Sequence, residues 1–278
     1  PFVLKSGPGD GLMRVTILGS GSSGGVPMVG MGWGQCDPTN PKNVRLRSSL
    51  LVEVAGKTIL FDTSPDLRAQ LLAANVTHID AVIYTHAHAD HLHGIDDLRG
   101  INRAMSAPIQ MYADDTTLVE IKKRFAYALR PLPDDNKTFY FKPTLEAHAI
   151  HAGTTFDVCG VPIACFDQDH GRSRTMGFRI GGFAYTTDLV NLPKPGFDVI
   201  AGVDTWVLGV FGPRPHDTHV HVDLALEWIA QVAPRQAVMT HLGPDLDYSE
   251  LENSLPNSVT AAFDGLQISL TDAEIGEA

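Results

Sequence analysis

Residues 83–96 read "IYTHAHADHLHGID" and bring together His86, His88, His91, His93, Asp90 and Asp96. The stretch leaves "IDAVIYT" (79–85), a short apolar run rich in β-branched residues that predicts a buried strand. Its core is the pattern His-x-His-x-Asp-His. On an extended strand exit, His86 and His88 lie two positions apart and point the same way. Asp90 and His91 lie beyond them and can turn toward a second position. Imidazole and carboxylate together suit zinc, manganese or iron, and this spacing suits two adjacent ions better than one. One short motif does not fill two coordination spheres. Three more polar residues stand where apolar strands emerge: His170 after "PIACFDQD", Asp188 at the end of "FAYTTD", and His241 at the end of "AVMTH". His93 lies past the motif and is expected behind the ligands or at the surface.

Working outward, the chain of 278 residues is 44% hydrophobic and 19% charged, as expected of a globular protein with a well-buried core. The net charge of -11 argues against an extended nucleic-acid surface, which needs a basic stripe. It leaves an anionic substrate open, because bound cations reverse the local sign of a site. Cys36, Cys159 and Cys165 form no C-x-x-C pair and imply no disulfide framework. No apolar run reaches membrane-spanning length. A cytoplasmic setting and no membrane partner are the expectations.

The expected organisation is one domain over 1–278, with an N-terminal extension at 1–12 and a helix plus irregular insert at 114–147. "RVTILG" (14–19) reads as a strand running into the glycine loop "GSGSSGGVP". Residues 48–54 and 58–62 read as a hairpin. "SPDLRAQLLAAN" predicts a helix with Ser64 as N-cap and Pro65 in the first turn. "FDVCGVPIACFDQDH" and "TMGFRIGGFAYTTD" read as hairpins around Gly160 and Gly181–Gly182. "TWVLGVF" reads as a buried strand, "HVDLALEWIAQVA" as an amphipathic helix, and "VTAAFDGLQISL" as a closing hairpin. Two β-rich halves with interspersed helices predict two packed sheets with helices outside.

The early Asp62 in "ILFDTS", the His-x-His-x-Asp-His motif, and His170, Asp188 and His241 in that order resemble the metallo-β-lactamase superfamily. The resemblance covers nearly the whole chain. It implies an α+β fold, a four-layer αββα sandwich with two metals at one edge of the sheets. It implies His86, His88 and His170 on one ion, Asp90, His91 and His241 on the other, and Asp188 bridging both. A hydroxide held between the ions would be the nucleophile, since metal binding lowers the pKa of water toward ~7. Asp62 would orient a ligand histidine.

The carboxylate at Asp188, where common zinc β-lactamases place Cys nearby, argues against antibiotic hydrolysis. "LGSGSSGGVP", "NVRLRSSLLVE", "HVHVDLALEWI" and "LPNSVTAAFDGLQISL" are similar to PhnP-like phosphodiesterases and the related tRNase Z group. That likeness implies hydrolysis of a small cyclic phosphate or a nucleotide phosphodiester. It makes His221 and Asp90 the expected catalytic residues, with His221 protonating the leaving oxygen or binding a phosphoryl oxygen. His219 could take that role instead. His219, His221, Ser22 in the glycine loop and Arg172 are the candidate substrate contacts. Two divalent ions, zinc or manganese, are the expected cofactors. Many PhnP-like proteins carry an extra zinc site, but Cys36 stands alone in "VGMGWGQCDPTNPKN", so no extra structural zinc is expected. The loop is then expected to be held by Trp33, Pro38 and Pro41. A tRNase Z-like nuclease, a glyoxalase II-like thioesterase and a non-catalytic metal-dependent binding module are the alternatives. A homodimer is the commonest assembly for such a chain.

Overall fold

In the computed structural model, residues 12–133 and 140–271 are described. Two seven-stranded sheets stack face to face. The first contains β1 (Leu12–Gly19), β2 (Ser49–Val54), β3 (Lys57–Phe61), β4 (Ala81–Ile83), β5 (Ile109–Ala113) and β6 (Leu145–Ala149). The second contains β7 (Thr154–Val158), β8 (Val161–Asp169), β9 (Arg174–Ile180), β10 (Phe183–Thr186), β11 (Thr205–Gly209), β12 (Gln236–Thr240) and β13 (Val259–Ala261). The last described strand, β14 (Gln267–Thr271), returns to the first sheet beside β1, giving the order β14-β1-β2-β3-β4-β5-β6. The second sheet runs β13-β12-β11-β10-β9-β8-β7.

Residue alternation builds the layers. In β2 and β3, Leu50, Val52, Ile59 and Phe61 face the opposing sheet. Leu51 and Leu60, one position over, face the helices. Strands buried on both faces read as continuous apolar runs, as "SLLVEV" and "KTILF" do. The helices α1 (Leu67–Ala73), α2 (Ala89–Leu92), α3 (Leu98–Met105) and α4 (Asp115–Phe125) precede β6 in the chain, and their apolar residues pack on the first sheet. Helices α5 (Lys194–Ile200), α6 (Val222–Val232) and α7 (Tyr248–Ser254) cover the second. The result is the expected αββα sandwich. Phe61 packs between the sheets with Phe178 at 5.3 Å and Tyr185 at 5.6 Å between ring centroids. Burying such a ring contributes about 1.5–3 kcal/mol.

Each sheet has an antiparallel half and a parallel half. Strands β3 to β6 are parallel, as are β10 to β13. Open parallel sheets bind ligands beyond the carboxyl ends of their strands. The exits of β3, β4, β10, β11 and β12 are therefore where chemistry is to be sought.

Three expectations need correction. "VTAAFDGLQISL" is not a hairpin, because β13 pairs with β12 while β14 pairs with β1 in the other sheet. The turn crosses the sandwich, and Asp264 in it accepts hydrogen bonds from Ser20 N–H (2.8 Å), Ser20 Oγ (2.8 Å) and Leu46 N–H (2.7 Å). Helix α1 starts at Leu67 rather than after Ser64; the Ser64 hydroxyl instead accepts from Asp66 N–H in the preceding turn. The loop ahead of β2 is held by a buried polar network, while Pro38 and Pro41 are exposed and Trp33 is half-buried. Arg45, 1% exposed, donates to the carbonyls of Gly243 (3.1 Å) and Leu246 (2.7 Å). Asn43 donates to Asp247 Oδ2 (2.6 Å), and the Cys36 thiol reaches the carbonyls of Pro244 and Leu246. Of the expected 1–12 extension, only Leu12 lies within the described residues, and residues 134–139 of the 114–147 insert lie outside them.

Candidate metal centre

The strand exits converge. His86, His88 and His170 form one group whose ligand atoms lie within 4.8 Å of one another, and Asp90, His91 and His241 form a second. Asp188 belongs with His86 and His91 in one further group and with His170 and His219 in another, so it stands between the two. Its Oδ2 is 2.8 Å from His91 Nε2, and its Oδ1 is 3.1 Å from His241 Nε2. Asp90 Oδ2 lies 3.2 Å from His91 Nε2 and 3.7 Å from His241 Nε2.

The backbone pays for this convergence locally. Asp62, Asp188 and His241 all adopt left-handed conformations, with φ of 61, 52 and 57°. Asp and His are enriched among the few non-glycine residues that do so, and such strain gathers at functional sites. Each follows closely on a parallel strand, where the left-handed turn ends the extended run.

Neighbouring hydrogen bonds fix which nitrogen each histidine offers. His91 Nδ1 donates to Asp62 Oδ2 at 2.6 Å. Thr85 donates to the same carboxylate through both its N–H and its Oγ1, each at 2.8 Å. With its proton committed there, Thr85 Oγ1 accepts from His86 Nδ1 at 2.9 Å. His170 Nδ1 donates to the Thr218 carbonyl at 2.8 Å. All three rings therefore carry a proton on Nδ1 and turn Nε2 toward the cluster, the orientation that metal-ligating histidines use. One buried aspartate, Asp62, thus orients His91 directly and His86 through Thr85.

A pair of divalent cations fits this donor set. The Nε2 atoms of His86, His91 and His241 are buried with no hydrogen-bond partner, and orphaned buried polar atoms call for an explanation. The charge balance points the same way. Burial opposes charging of His91, yet the carboxylates of Asp188, Asp90 and Asp62 outweigh it and raise that imidazole well above its usual value. A proton there supplies positive charge that cations would otherwise bring. The His91 charge holds the carboxyl of Asp90 far below the usual range against the effect of burial, and His241 with His91 does so for Asp188.

The structure separates the remaining candidates. His219 is at the centre: its ring lies 4.9 Å from that of His170 and 5.0 Å from that of His241, and Nδ1 is 3.5 Å from Asp188 Oδ1. Phe211 stacks on it at 5.2 Å. Burial first, then the neighbouring His241, pushes its pKa down to about 3. His221, the expected proton donor, is instead the N-cap residue of α6, and its carbonyl accepts from Ala225 N–H. His219, and not His221, lines the cavity over the cluster. The reason is local: Val220 between them is fully buried and bonded to Leu189 and Phe211, and the helix begins directly after His221. Ser22 is likewise buried, its hydroxyl without a partner, and the cavity wall is formed by Ser23. Arg172 does line the cavity. His93 is exposed and packs against Phe125 at 5.5 Å. Arg47 pairs with Asp66 at 2.7 Å. Thr85 and Thr218 were missed. The hydroxyl of Thr85 directly before His86 was a usable signal, whereas Thr218 acts through its backbone and leaves none.

Residues 57–242 match the family described as the beta-lactamase superfamily domain. A crystal structure of a diphosphatase from the PhnP family superposes with a TM-score of 0.84 at 32% identity, covering 93% of this chain and 97% of that one. The chain is a PhnP-like member of the metallo-β-lactamase superfamily. It shares the superfamily's fold, with helices outside two mixed sheets. An octanoyltransferase of Porphyromonas gingivalis is 32% identical over 259 residues, which are 92% of this chain and 51% of that protein. A ribonuclease Z of Bradyrhizobium diazoefficiens is 30% identical over 146 residues, 50% of this chain and 45% of that one. The chain thus spans about half the length of these curated relatives. Among the described residues, no helix is long and apolar enough to cross a membrane.

Proposed function

We propose that this protein is a two-metal phosphoester hydrolase acting on a small phosphodiester, cyclic phosphate or nucleotide diester. The observation that carries the reading is the convergence of seven His and Asp side chains able to hold metal ions, with His219 beside them in the cavity wall. The nearness of a PhnP-family diphosphatase supports it. His86, His88 and His170 would hold one cation, Asp90, His91 and His241 the other, and Asp188 would join both. Such cations, when bound, supply Lewis-acid charge and lower the pKa of water toward about 7. N and O donors admit zinc and manganese alike.

The chain's own groups do the rest. Asp62 and Thr85 hold the Nδ1 sides of His91 and His86, so Nε2 is the nitrogen each ring would offer a cation. Phe211 and His170 hold the His219 ring in place in the cavity wall, where a neutral imidazole would present an N–H to an incoming phosphoryl group. There it would hydrogen-bond the attacked or departing oxygen, where charge develops in phosphoryl transfer. The cavity over the cluster, about 370 Å³, is within the size of small-ligand clefts. A ribonuclease reading draws on the partial match to ribonuclease Z, but a net charge of -11 argues against the extended basic stripe that RNA binding needs.

The test is turnover of bis-p-nitrophenyl phosphate, a thioester and a precursor tRNA by protein loaded with zinc or manganese. Phosphodiester turnover is expected, with His219→Ala losing roughly 10²-fold or more in kcat while two metals per chain remain. A fully loaded protein that cleaves only the thioester or only the tRNA would overturn the proposal. Loss of a metal in His219→Ala would reassign that residue to coordination.

A further inference from the structure

A second cavity, of about 470 Å³, adjoins the one over the cluster, and His88, Arg172 and Ser173 belong to the walls of both. The two spaces therefore meet at the metal group of His86, His88 and His170. The outer cavity is walled further by Arg124 and Arg174.

The charges in that wall are not equivalent. Arg124 is committed to Glu120 at 2.7 Å and to the Ala87 carbonyl at 2.8 Å. Arg174 is committed to Asp167 at 3.0 Å. Asp114 is spent on capping α4, accepting from Thr117 N–H at 3.0 Å. Arg172 alone among these charged groups has no side-chain partner among the described residues. Its backbone is nonetheless held. Arg172 N–H donates to the His170 carbonyl at 2.9 Å, and His170 N–H to the Ser173 carbonyl at 3.0 Å. Gly171 makes the turn at φ 75° so close to Asp217 that an added Cβ would lie 2.6 Å from its carbonyl oxygen. A free guanidinium is thus mounted on a tight turn two residues after a metal-ligand histidine, at the junction of two cavities.

We infer that the outer cavity seats the departing half of the substrate and that Arg172 binds a second phosphate carried by it. The inference rests on the phosphoester-hydrolase reading and narrows it to diphosphate-linked molecules. Guanidinium matches phosphate geometry with two parallel N–H donors. In the reaction, one water is consumed. Its oxygen joins the attacked phosphorus, the bond from that phosphorus to the bridging oxygen breaks, and the electron pair leaves on the departing phosphate. The two water protons end on the products or in solvent, and both products are monophosphates. Arg172 offsets the charge that accumulates on the departing phosphate. The site is a specificity device, since a diester with a neutral leaving group gains nothing from it.

Two substrates separate these ideas: ADP-ribose, a diphosphate diester, and bis-p-nitrophenyl phosphate, which has one phosphorus. The readout is the ratio of their kcat/KM values in metal-loaded protein, with metal content measured in parallel. Arg172→Ala is expected to lower the ratio of ADP-ribose to bis-p-nitrophenyl phosphate at least tenfold, and Arg172→Lys to restore part of it. A ratio unchanged in Arg172→Ala overturns the inference. So does wild-type protein that cleaves bis-p-nitrophenyl phosphate but not ADP-ribose, and that result leaves the broader reading standing. Failure on both substrates with both metals bound overturns the two together.

Discussion

Asp62→Asn changes one atom type in a fully buried residue and should release a metal. Asparagine tolerates the left-handed backbone at this position, so the fold is expected to survive. The hydrogen-bond arithmetic is what fails. Asp62 Oδ1 accepts from Thr85 N–H, and Oδ2 accepts from both Thr85 Oγ1 and His91 Nδ1. With the amide oxygen toward Thr85 N–H, the amide NH₂ meets His91 Nδ1–H, donor against donor. His91 then escapes only by moving its proton to Nε2, which removes the lone pair a cation needs. Flipping the amide sets its NH₂ against Thr85 N–H instead. One charge-assisted hydrogen bond is lost either way, worth about 1.5–3 kcal/mol. At about 1.4 kcal/mol per tenfold, the affected ion should bind roughly 10- to 100-fold more weakly. That range agrees with the usual cost of removing a partner behind a metal ligand. The assay is calorimetric titration of metal-free protein with zinc, with metal counted by mass spectrometry and folding checked by circular dichroism. His93→Ala, outside the cluster, serves as the control and should keep both affinities. Folded Asp62→Asn protein that binds both ions at wild-type strength would refute the tautomer argument.

Two further outcomes follow from the packing. Gly94→Ala places a Cβ 1.9 Å from the Ser64 carbonyl oxygen, a clash of backbone that no rotamer relieves; a loss of about 1–3 kcal/mol in urea unfolding is expected, and wild-type stability would show the backbone to be more yielding than drawn. The Asp66 carboxyl is held below its usual value because hydrogen bonds from Arg47 outweigh burial; a depressed folded pKa means stabilisation that is present above the unfolded value of about 3.9 and lost as pH falls through the folded one, so the stability gap between wild type and Asp66→Asn should be constant from pH 7 to 5 and close below pH 4, and a gap that widens on acidification would reverse the assignment.

The residues that converge at the candidate site and behind it were legible because each stands at the end of an apolar run. Asp62 follows "ILF", His86 follows "AVIYT", Asp188 follows "FAYTT" and His241 follows "AVMT". A strand end in a parallel sheet is where ligand-binding residues gather, so polarity at that position is informative by itself. His219 against His221 was a different problem. Two residues apart on an extended segment share a face, and only the onset of α6 and the packing of Phe211 decide between them. Ser22 against Ser23 failed for the converse reason, since neighbours face opposite ways and a glycine loop has no periodicity to say which faces inward. "AAFDGLQ" looks like any tight turn in sequence. Whether its flanking strands pair with each other or with two different sheets depends on contacts more than 200 residues away, such as that between Asp264 and Ser20.

The antiparallel pairing of β1 with β14 has a topological consequence. Leu12 and Thr271 are register partners, so the first and last described strands enter and leave the domain at one point on its surface. The matched stretch 57–242 starts at β3 and lacks β1, β2, β13 and β14, so it is not a portable piece. The stretch from β1 to β14 carries every strand of the two described sheets. It can be spliced into another polypeptide as a closed loop of chain, with both junctions side by side. It can also be circularly permuted, by linking Thr271 to Leu12 and opening the exposed turn at Gly160.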